Sequence, residues 1–441
     1  LVLAANTAYQ DFPRLASILA RDRFLPGQFV NRGDRLVFSN GVIALALLAS
    51  LLIYVYDAEV TRLIQLYVVG VFTSFTLSQA GMVMRWRRRR EEGWRSKAAL
   101  NTVGAVTTGV VLIVVTISKF LLGAWLVVLA AGLLVLAFRA VHRHYESVAA
   151  QLRIPDQRPQ TAAGTHIVIP VARIDEATLR AVGYAKSVRP LSLRAVHVPT
   201  EGPATAAQLV ALWDEWQMSF PLEILEGEDL NDALRGFCRA LGRSPNEFLT
   251  VLLPERLKSR SWVQFLRRRR GLMLKAAMLF ERQVVVTDVP VIETEHRRPL
   301  GHRPPAPRRN EALVLVSNVH NASLRAVAYA LGLRPSGTRA VTFALDETDT
   351  ERITDEWSRQ PFDVALEILD SPFREVRRPL VRLVREIRAE APGTVVTVVL
   401  PEFVVRRWWH QFLHNQTALA IKARLLFEPD VVVTSVPFHL S

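Results

Sequence analysis

The chain has 441 residues with 55 Lys+Arg against 41 Asp+Glu, a net charge of +14, yet half of its residues are hydrophobic and its mean hydropathy is positive. That apolar content excludes a disordered chain, and the length allows two to four domains of roughly 100–200 residues each. Cys238 is the only cysteine, which excludes an intrachain disulfide framework and an all-thiolate metal site and fits a reducing compartment.

Residues 1–5 read as an apolar segment already under way. The first residue is not Met and no basic stretch precedes the apolar one, which predicts a fragment of a longer chain and gives no support to a signal peptide. Four apolar runs follow, at 38–56, 63–84, 98–118 and 120–138. Each is close to the roughly 20 residues a helix needs to cross a hydrocarbon core of about 30 Å, so four membrane spans are predicted.

A cut near residue 160 leaves 18 Lys+Arg against 9 Asp+Glu before it and 37 against 32 after it. Sixteen of the early basic residues flank the first, third and fifth connections of the four spans, whereas only Arg62 and Lys119 lie on the other side. Positive charge marks the cytoplasmic side, so everything after residue 140 is predicted to be cytosolic. The Arg85, Arg87, Arg88, Arg89 and Arg90 cluster then reads as a topology anchor beside anionic headgroups. It does not read as a nucleic-acid site, and no nucleic-acid partner is expected.

From Thr161 onward, short β-branched runs alternate with amphipathic helical stretches, the pattern of βα units on a parallel sheet. The pattern occurs twice. Thr178-Leu179-Arg180-Ala181-Val182 corresponds to Ser323-Leu324-Arg325-Ala326-Val327, and Leu222-Glu223-Ile224-Leu225 to Leu366-Glu367-Ile368-Leu369. Leu253-Pro254-Glu255, Trp262, Lys275-Ala276, Leu279-Phe280-Glu281 and Val284-Val285-Val286-Thr287 recur as Leu400-Pro401-Glu402, Trp409, Lys422-Ala423, Leu426-Phe427-Glu428 and Val431-Val432-Val433-Thr434. A duplication explains this, and the two copies are expected to pair as an intramolecular pseudo-dimer through their final strands. Strands are predicted near 166–171, 193–198, 222–226, 248–253 and 284–287 in the first copy. In the second they are predicted near 313–316, 339–343, 365–369, 395–400 and 431–434. Residues 146–164 and the proline-rich 297–311 read as linkers, leaving 165–296 and 312–441 as two α/β domains after a membrane part at 38–145.

The segment from Ala4 through Asn6, Tyr9, Asp11 and Pro13 to Leu15, with Ala20-Arg21-Asp22 and Leu25-Pro26 after it, resembles the amino acid/polyamine/organocation superfamily. More specifically, Asn6 to Leu15, Asn31 to Gly41 and Gln65 to Phe72 resemble KimA-type potassium/proton symporters, which are related to KUP potassium uptake proteins. The resemblance implies that residues 1–37 are the end of a transmembrane helix and a cytoplasmic loop, and that the four spans are the last four helices of an APC/LeuT-type transporter. The implied fold class is membrane all-α followed by two doubly wound α/β domains with five parallel strands each, similar to universal stress proteins.

In such inverted-repeat transporters the substrate sits against broken helices near the bilayer midplane, and the resemblance places those helices outside this sequence. Tyr67 is the candidate to line the ion path, because its hydroxyl can present an oxygen to a dehydrated cation. Thr73, with Ser74, Thr76, Ser78 and Gln79, gives the same helix a polar run; the alternative is that Tyr67 is an interfacial anchor and the hydroxyls bond within helices.

In the doubly wound fold, ligands sit beyond the carboxyl ends of strands at the switch point. This selects Val171 and Arg173, with Pro170, in the first copy and Ser317 and Asn318, with His320, in the second, beside Pro254 and Pro401. ATP-binding members of the stress-protein family carry a glycine-rich phosphate loop after the fourth strand; here Pro-Glu stands there, which argues against tight ATP binding. KimA-type transporters are known for inhibition by cyclic di-AMP through their cytosolic region, so this nucleotide is the implied regulatory ligand; no other cofactor is implied.

Arg267, Arg268, Arg269 and Arg270 read as a solvated helix face, and His410 and His414 lack a third ligand for zinc. Trp262 and Trp409 read as packing residues. No serine elbow, P-loop, kinase set or HExxH motif is present, so an enzyme is not expected. The sequence thus predicts a multi-pass plasma-membrane transporter, most simply proton-coupled potassium uptake, with the lipid bilayer, potassium and protons as partners and a homodimeric state. The alternatives are an amino acid permease and a membrane-tethered nucleotide sensor.

Overall fold

The computed structural model describes residues 2–30, 38–120, 123–154, 164–199, 202–227, 229–244, 246–257, 269–292, 306–344, 347–371, 376–405 and 416–440. They divide into two compact units, Leu1–Ser147 and Val148–Ser441.

The first unit is helical: α1 (Val2–Arg21), α2 (Ser39–Val55), α3 (Val60–Arg89), α4 (Trp94–Ser118) and α5 (Ala124–Gln151), whose residues from Val148 onward belong to the second unit. Among the described residues three helical segments, Leu66–Arg89, Trp94–Ser118 and Ala124–Gln151, are long and apolar enough to cross a membrane. The remaining expected span is α2, a shorter apolar helix. With 17 residues, α2 reaches only about 26 Å at 1.5 Å per residue; residues 31–37, just before it, lie outside the described ones.

Outward-facing Leu47, Ile117 and Leu136 are exposed, as suits helices that are apolar all round. The turn between α2 and α3 places Asp57 and Ala58 at positive φ, and the turn after α3 does the same with Arg90 and Gly93. Arg87, Arg88 and Arg89 fill the last turn of α3, where cations complement the helix dipole. Contacts between helices are close at small residues. A Cβ on Gly41 would lie 2.7 Å from the Pro13 ring, and one on Gly104 would lie 3.1 Å from the Gln79 side chain. Thr76 Oγ1 and Thr108 Oγ1 are 3.1 Å apart between α3 and α4.

The second unit contains β1 (Gly164–Pro170), α6 (Glu176–Ser187), β2 (Ser192–His197), α7 (Pro203–Glu215), β3 (Leu222–Ile224), α8 (Leu230–Ala240), β4 (Glu247–Leu257), α9 (Arg269–Leu279) and β5 (Val284–Ile292). The second repeat supplies β6 (Arg309–Leu315), α10 (Asn321–Gly332), β7 (Gly337–Ala344), α11 (Glu347–Ser358), β8 (Ala365–Asp370), α12 (Arg377–Glu390), β9 (Thr394–Val405), α13 (Gln416–Leu425) and β10 (Val431–Leu440).

All ten strands form one sheet in the order β3-β2-β1-β4-β5-β10-β9-β6-β7-β8. Each half is parallel and ordered 3-2-1-4-5. The halves join antiparallel through β5 and β10, with Thr287 opposite Thr434 in the register and their hydroxyl oxygens 2.9 Å apart. The two five-stranded halves thus pair through their final strands, as expected of the duplication, and make one sheet.

The reason is a shared core. Side chains alternate faces along a strand. One face of the sheet packs Ile167, Val182, Tyr184 and Leu252 of the first repeat into the same cluster as Val314, Val327, Tyr329 and Val399 of the second. The opposite face keeps two clusters, around Val168, Leu249, Leu274 and Met278 and around Leu313, Leu380, Val398 and Ile421. Across the shared face the repeats exchange hydrogen bonds: Tyr184 Oη with Thr397 Oγ1 and Tyr329 Oη with Thr250 Oγ1, both at 3.0 Å. Burial pushes the Tyr184 phenol up and the Tyr329 phenol up to about 12.

Three boundaries differ from expectation. Strands β4, β5, β9 and β10 run several residues further because each pair continues after its neighbour has stopped: the β1–β4 ladder ends at Val168–Val251 while β4–β5 continues to Leu257–Ile292. Pro254 and Pro401 consequently lie inside strands, where a ladder on one side only tolerates a missing N–H. The stretch expected to start the first linker is helical, since α5 reaches Gln151 and its end, Val148, packs with Val405 and Leu440. Likewise β6 begins at Arg309, inside the expected proline-rich linker.

Candidate functional site

Tyr67 sits on α3 and is 69% exposed. Thr73 donates its hydroxyl proton to Val69 O at 2.7 Å, a bond within its own helix that leaves only oxygen lone pairs. Six residues apart, the two lie on different faces of α3 at about 100° per residue. The structure therefore does not bring them together. Ser74, seven residues from Tyr67, shares its face, whereas Thr76 turns toward α4 and bonds Thr108.

At the carboxyl end of β1, Val171 is 3% exposed and belongs to the core. Its N–H donates to Val196 O and its carbonyl accepts from His197 Nδ1, both at 2.8 Å, so it is a packing residue that offers a ligand nothing. Arg173 is exposed, with Nε 3.0 Å from Asp175 Oδ2. Asp175 caps α6 by accepting from Thr178 N at 3.0 Å, and Arg256 Nη1 approaches it from β4 at 3.4 Å. Pro254 lies two residues before Arg256 on the same strand face. The first repeat thus gathers Arg173, Asp175, Arg256 and Pro254.

The second repeat preserves the backbone scheme and changes the chemistry. Ser317 is exposed, and Asn318 Oδ1 accepts from Arg352 Nη2 at 2.8 Å. His320 takes the place of Asp175: its Nδ1 accepts from Ser323 N at 3.1 Å, and Ser323 Oγ accepts from His320 N at 2.9 Å. Burial lowers the His320 pKa. Phe403 takes the place of Arg256, its ring 5.6 Å from that of His320. Val148 and Leu152, at the end of α5, cover this place with Val405, Leu440, Phe403 and Phe438, and Leu152 O accepts from Asn321 N at 3.1 Å. Pro401, further back in β9, is partly buried.

A buried ionic cluster escaped the sequence reading. Lys275 Nζ lies 2.6 Å from Glu255 Oε1 and 3.0 Å from Asp288 Oδ1. Burial alone would lower the Lys275 pKa, but the Asp288 and Glu255 carboxylates outweigh it and hold the amine above its ordinary value. In the second repeat Lys422 Nζ meets Glu402 Oε2 at 2.5 Å, and Ser435 stands where Asp288 does. The signal was present, since the Lys and Glu recur at fixed spacing, but Asp288 has no counterpart and the pairing runs between a strand and a helix.

Among the described residues no cluster of three His, Cys, Asp or Glu could hold a metal ion. Trp262, Arg267, Arg268, Trp409, His410 and His414 lie outside the described residues, as do the side chains of Arg269 and Arg270.

Three helices of membrane-crossing length joined to a duplicated α/β sheet define a multi-pass membrane protein with an attached α/β domain. Residues 164–291 and 308–438 each match the family described as the KimA potassium transporter C-terminal domain, and residues 1–139 match the amino acid permease family. The two C-terminal matches cover more than half of the chain, which belongs to the KimA C-terminal domain family. The chain is also similar to the potassium transporter KimA of Bacillus subtilis (strain 168), with 34% identity over 295 residues, 66% of this chain and 48% of that protein. It thus spans about half the length of the curated relative it matches.

Proposed function

We propose that the protein is a secondary active transporter of the plasma membrane that takes up potassium with protons, and that its cytoplasmic sheet regulates transport. The observation that carries this reading is the joining of permease-type helices to two copies of a potassium-transporter domain, in a chain 34% identical to a protein named as a potassium transporter. Helices α2 to α5 are then the last four helices of an APC/LeuT-type transporter, and Tyr67 lines the ion path. The 3-2-1-4-5 order of each half-sheet supports reading the repeats as universal-stress-protein-like. A potassium-uptake-deficient bacterium given the complete reading frame should grow at limiting potassium. Failure to grow with the protein present in the membrane would sink the reading.

Regulation by cyclic di-AMP belongs to the same proposal. Its place is the first repeat, where Arg173 and Arg256 converge, because the second repeat's equivalent is aromatic and covered by the end of α5. Calorimetry on the purified protein should show binding that Arg173→Ala with Arg256→Ala weakens about tenfold or more, the scale of losing charge-assisted contacts to phosphate; binding unchanged by both substitutions would refute the placement. The match of residues 1–139 to amino acid permeases favours a second reading, amino acid uptake, which growth at limiting potassium would not reveal. A homodimer is the expected assembly.

A further inference from the structure

The residue after α5 caps a helix of the second repeat. Leu152 O accepts from Asn321 N, the first N–H of α10, at 3.1 Å, and an N–H at that position has no partner inside its own helix. Around this bond Val148 and Leu152 pack with Phe403, Val405, Phe438 and Leu440. Because α5 runs unbroken from Ala124 to Gln151, the seat holds the end of a helix long enough to cross a membrane.

The same helix start depends on His320. As N-cap it accepts from Ser323 N through Nδ1 at 3.1 Å, and Ser323 Oγ accepts in return from His320 N at 2.9 Å. An imidazole accepts a hydrogen bond only while it is neutral; the imidazolium has two donors and no acceptor. Protonation therefore removes the cap, turns a ring N–H toward the Ser323 N–H, and puts positive charge where the helix dipole favours negative. The His320 ring also lies edge-on to Phe403, with centroids 5.6 Å apart, and Phe403 belongs to the seat of Val148 and Leu152. One proton thus acts on the cap and on the packing that holds α5.

The surroundings do not compensate that charge. Burial lowers the His320 pKa, and no carboxylate acts against it. On β9, Glu402 is paired with Lys422. On β10, His439 Nε2 bonds Leu279 O at 3.0 Å. Before α10, Asn318 holds Arg352, which also pairs with Asp349 and Glu356, and within α10 Arg325 lies over the Phe248 ring. The α5 side brings Arg153, which is exposed, His144, and His142 paired with Glu146 at 3.3 Å. The first repeat caps the equivalent helix with Asp175, which accepts from Thr178 N at 3.0 Å. Of the two cap residue types, only histidine ordinarily changes charge between about pH 5 and 8.

We propose that His320 makes the seat of α5 an acid-sensitive latch: the neutral imidazole holds the end of the last helix on the second repeat, and the imidazolium releases it. The sign follows from the depressed pKa. The hold is complete above the ordinary histidine value of about 6.5 and is lost as pH falls through the lowered one. A transporter that imports protons acidifies the compartment in which the sheet lies, so the latch would report the accumulated product of transport. That role rests on the reading of the sheet as the cytoplasmic part of a proton-coupled transporter, whereas the latch itself does not.

The test is hydrogen exchange read by mass spectrometry on the protein from its complete reading frame, in nanodiscs, on peptides that contain Val148 and Leu152. Rates are divided by those of the unstructured peptide at each pH. Between about pH 7.5 and about pH 5.5, either side of the ordinary histidine value, protection of the wild type should fall severalfold, with a midpoint below about 6.5. His320→Asn supplies a cap acceptor that does not titrate, and its protection should be the same at both pH values. His142→Gln with His144→Gln should leave the wild-type response in place. Unchanged wild-type protection, a midpoint above about 6.5, or an equal pH response in His320→Asn would each overturn the proposal; the first two need no variant to fold. No transport is measured, so a failure of the potassium reading and a failure of the latch are separate results.

Discussion

Lys275→Met removes the cation that, among the described residues, pairs with two buried carboxylates. At an effective dielectric of about 20, unit charges at the two observed separations attract by roughly 5–6 kcal/mol each, most of which is offset by the cost of desolvation. Removing Lys275 forfeits the attraction and keeps the cost for Glu255 and Asp288, so the expected loss is about 3–5 kcal/mol. Lys422→Met strands only Glu402, and its loss should be smaller. Asp288→Ser turns the first cluster into the arrangement the second repeat already uses, and should cost under about 1 kcal/mol, as substitutions free of the severe mechanisms do.

The assay is hydrogen exchange read by mass spectrometry on peptides of β5 and β10. For Lys275→Met, β5 amides that exchange through opening of this unit should speed up on the order of a hundred- to a few-thousand-fold. The pH dependence has a definite sign. The folded Lys275 pKa is raised, so its contribution is complete below the unfolded value of about 10.4 and is lost as pH rises through the folded value. Equal losses for Lys275→Met and Lys422→Met, or a loss growing rather than shrinking in strong alkali, would refute the reasoning.

Tyr184→Phe and Tyr329→Phe should each cost about 1 kcal/mol, the net worth of one hydrogen bond, and each should raise exchange in both repeats because the bonds cross between them. Gln283→Asp should raise the melting temperature. Arg325 Nε has no hydrogen-bond partner among the described residues, whereas its counterpart Arg180 pairs with Asp430 at 2.8 Å; the missing carboxylate would stand at the position equivalent to Asp430, with a gain of up to about 1 kcal/mol. Gly41→Leu should block the approach of α2 to Pro13 and lower the yield of folded protein in detergent. The Glu247 pKa is lowered, first by the Ser244 N–H and then by His166. Its contribution is present above about pH 4.3 and lost as pH falls through the folded value, so Glu247→Gln should flatten the acid limb of a stability profile.

The duplication and most strands were legible because apolar β-branched runs such as Val284 to Val286 and Val431 to Val433 are local signals. The union of the halves through their final strands was expected from the duplication, but its register and hydrogen bonds were not. It rests on Thr287 facing Thr434 and on tyrosines reaching threonines in the other repeat, contacts between residues well over a hundred positions apart. Position along the chain did not reveal that the backbone groups of Val171 are spent on Val196 and His197.

The central claim, potassium movement coupled to protons, is tested most directly in proteoliposomes of the protein from its complete reading frame with a pH-sensitive dye sealed inside. External potassium, but not sodium or amino acids, should acidify the lumen, and Tyr67→Phe should slow the response. Acidification driven by an amino acid and indifferent to potassium would contradict the account.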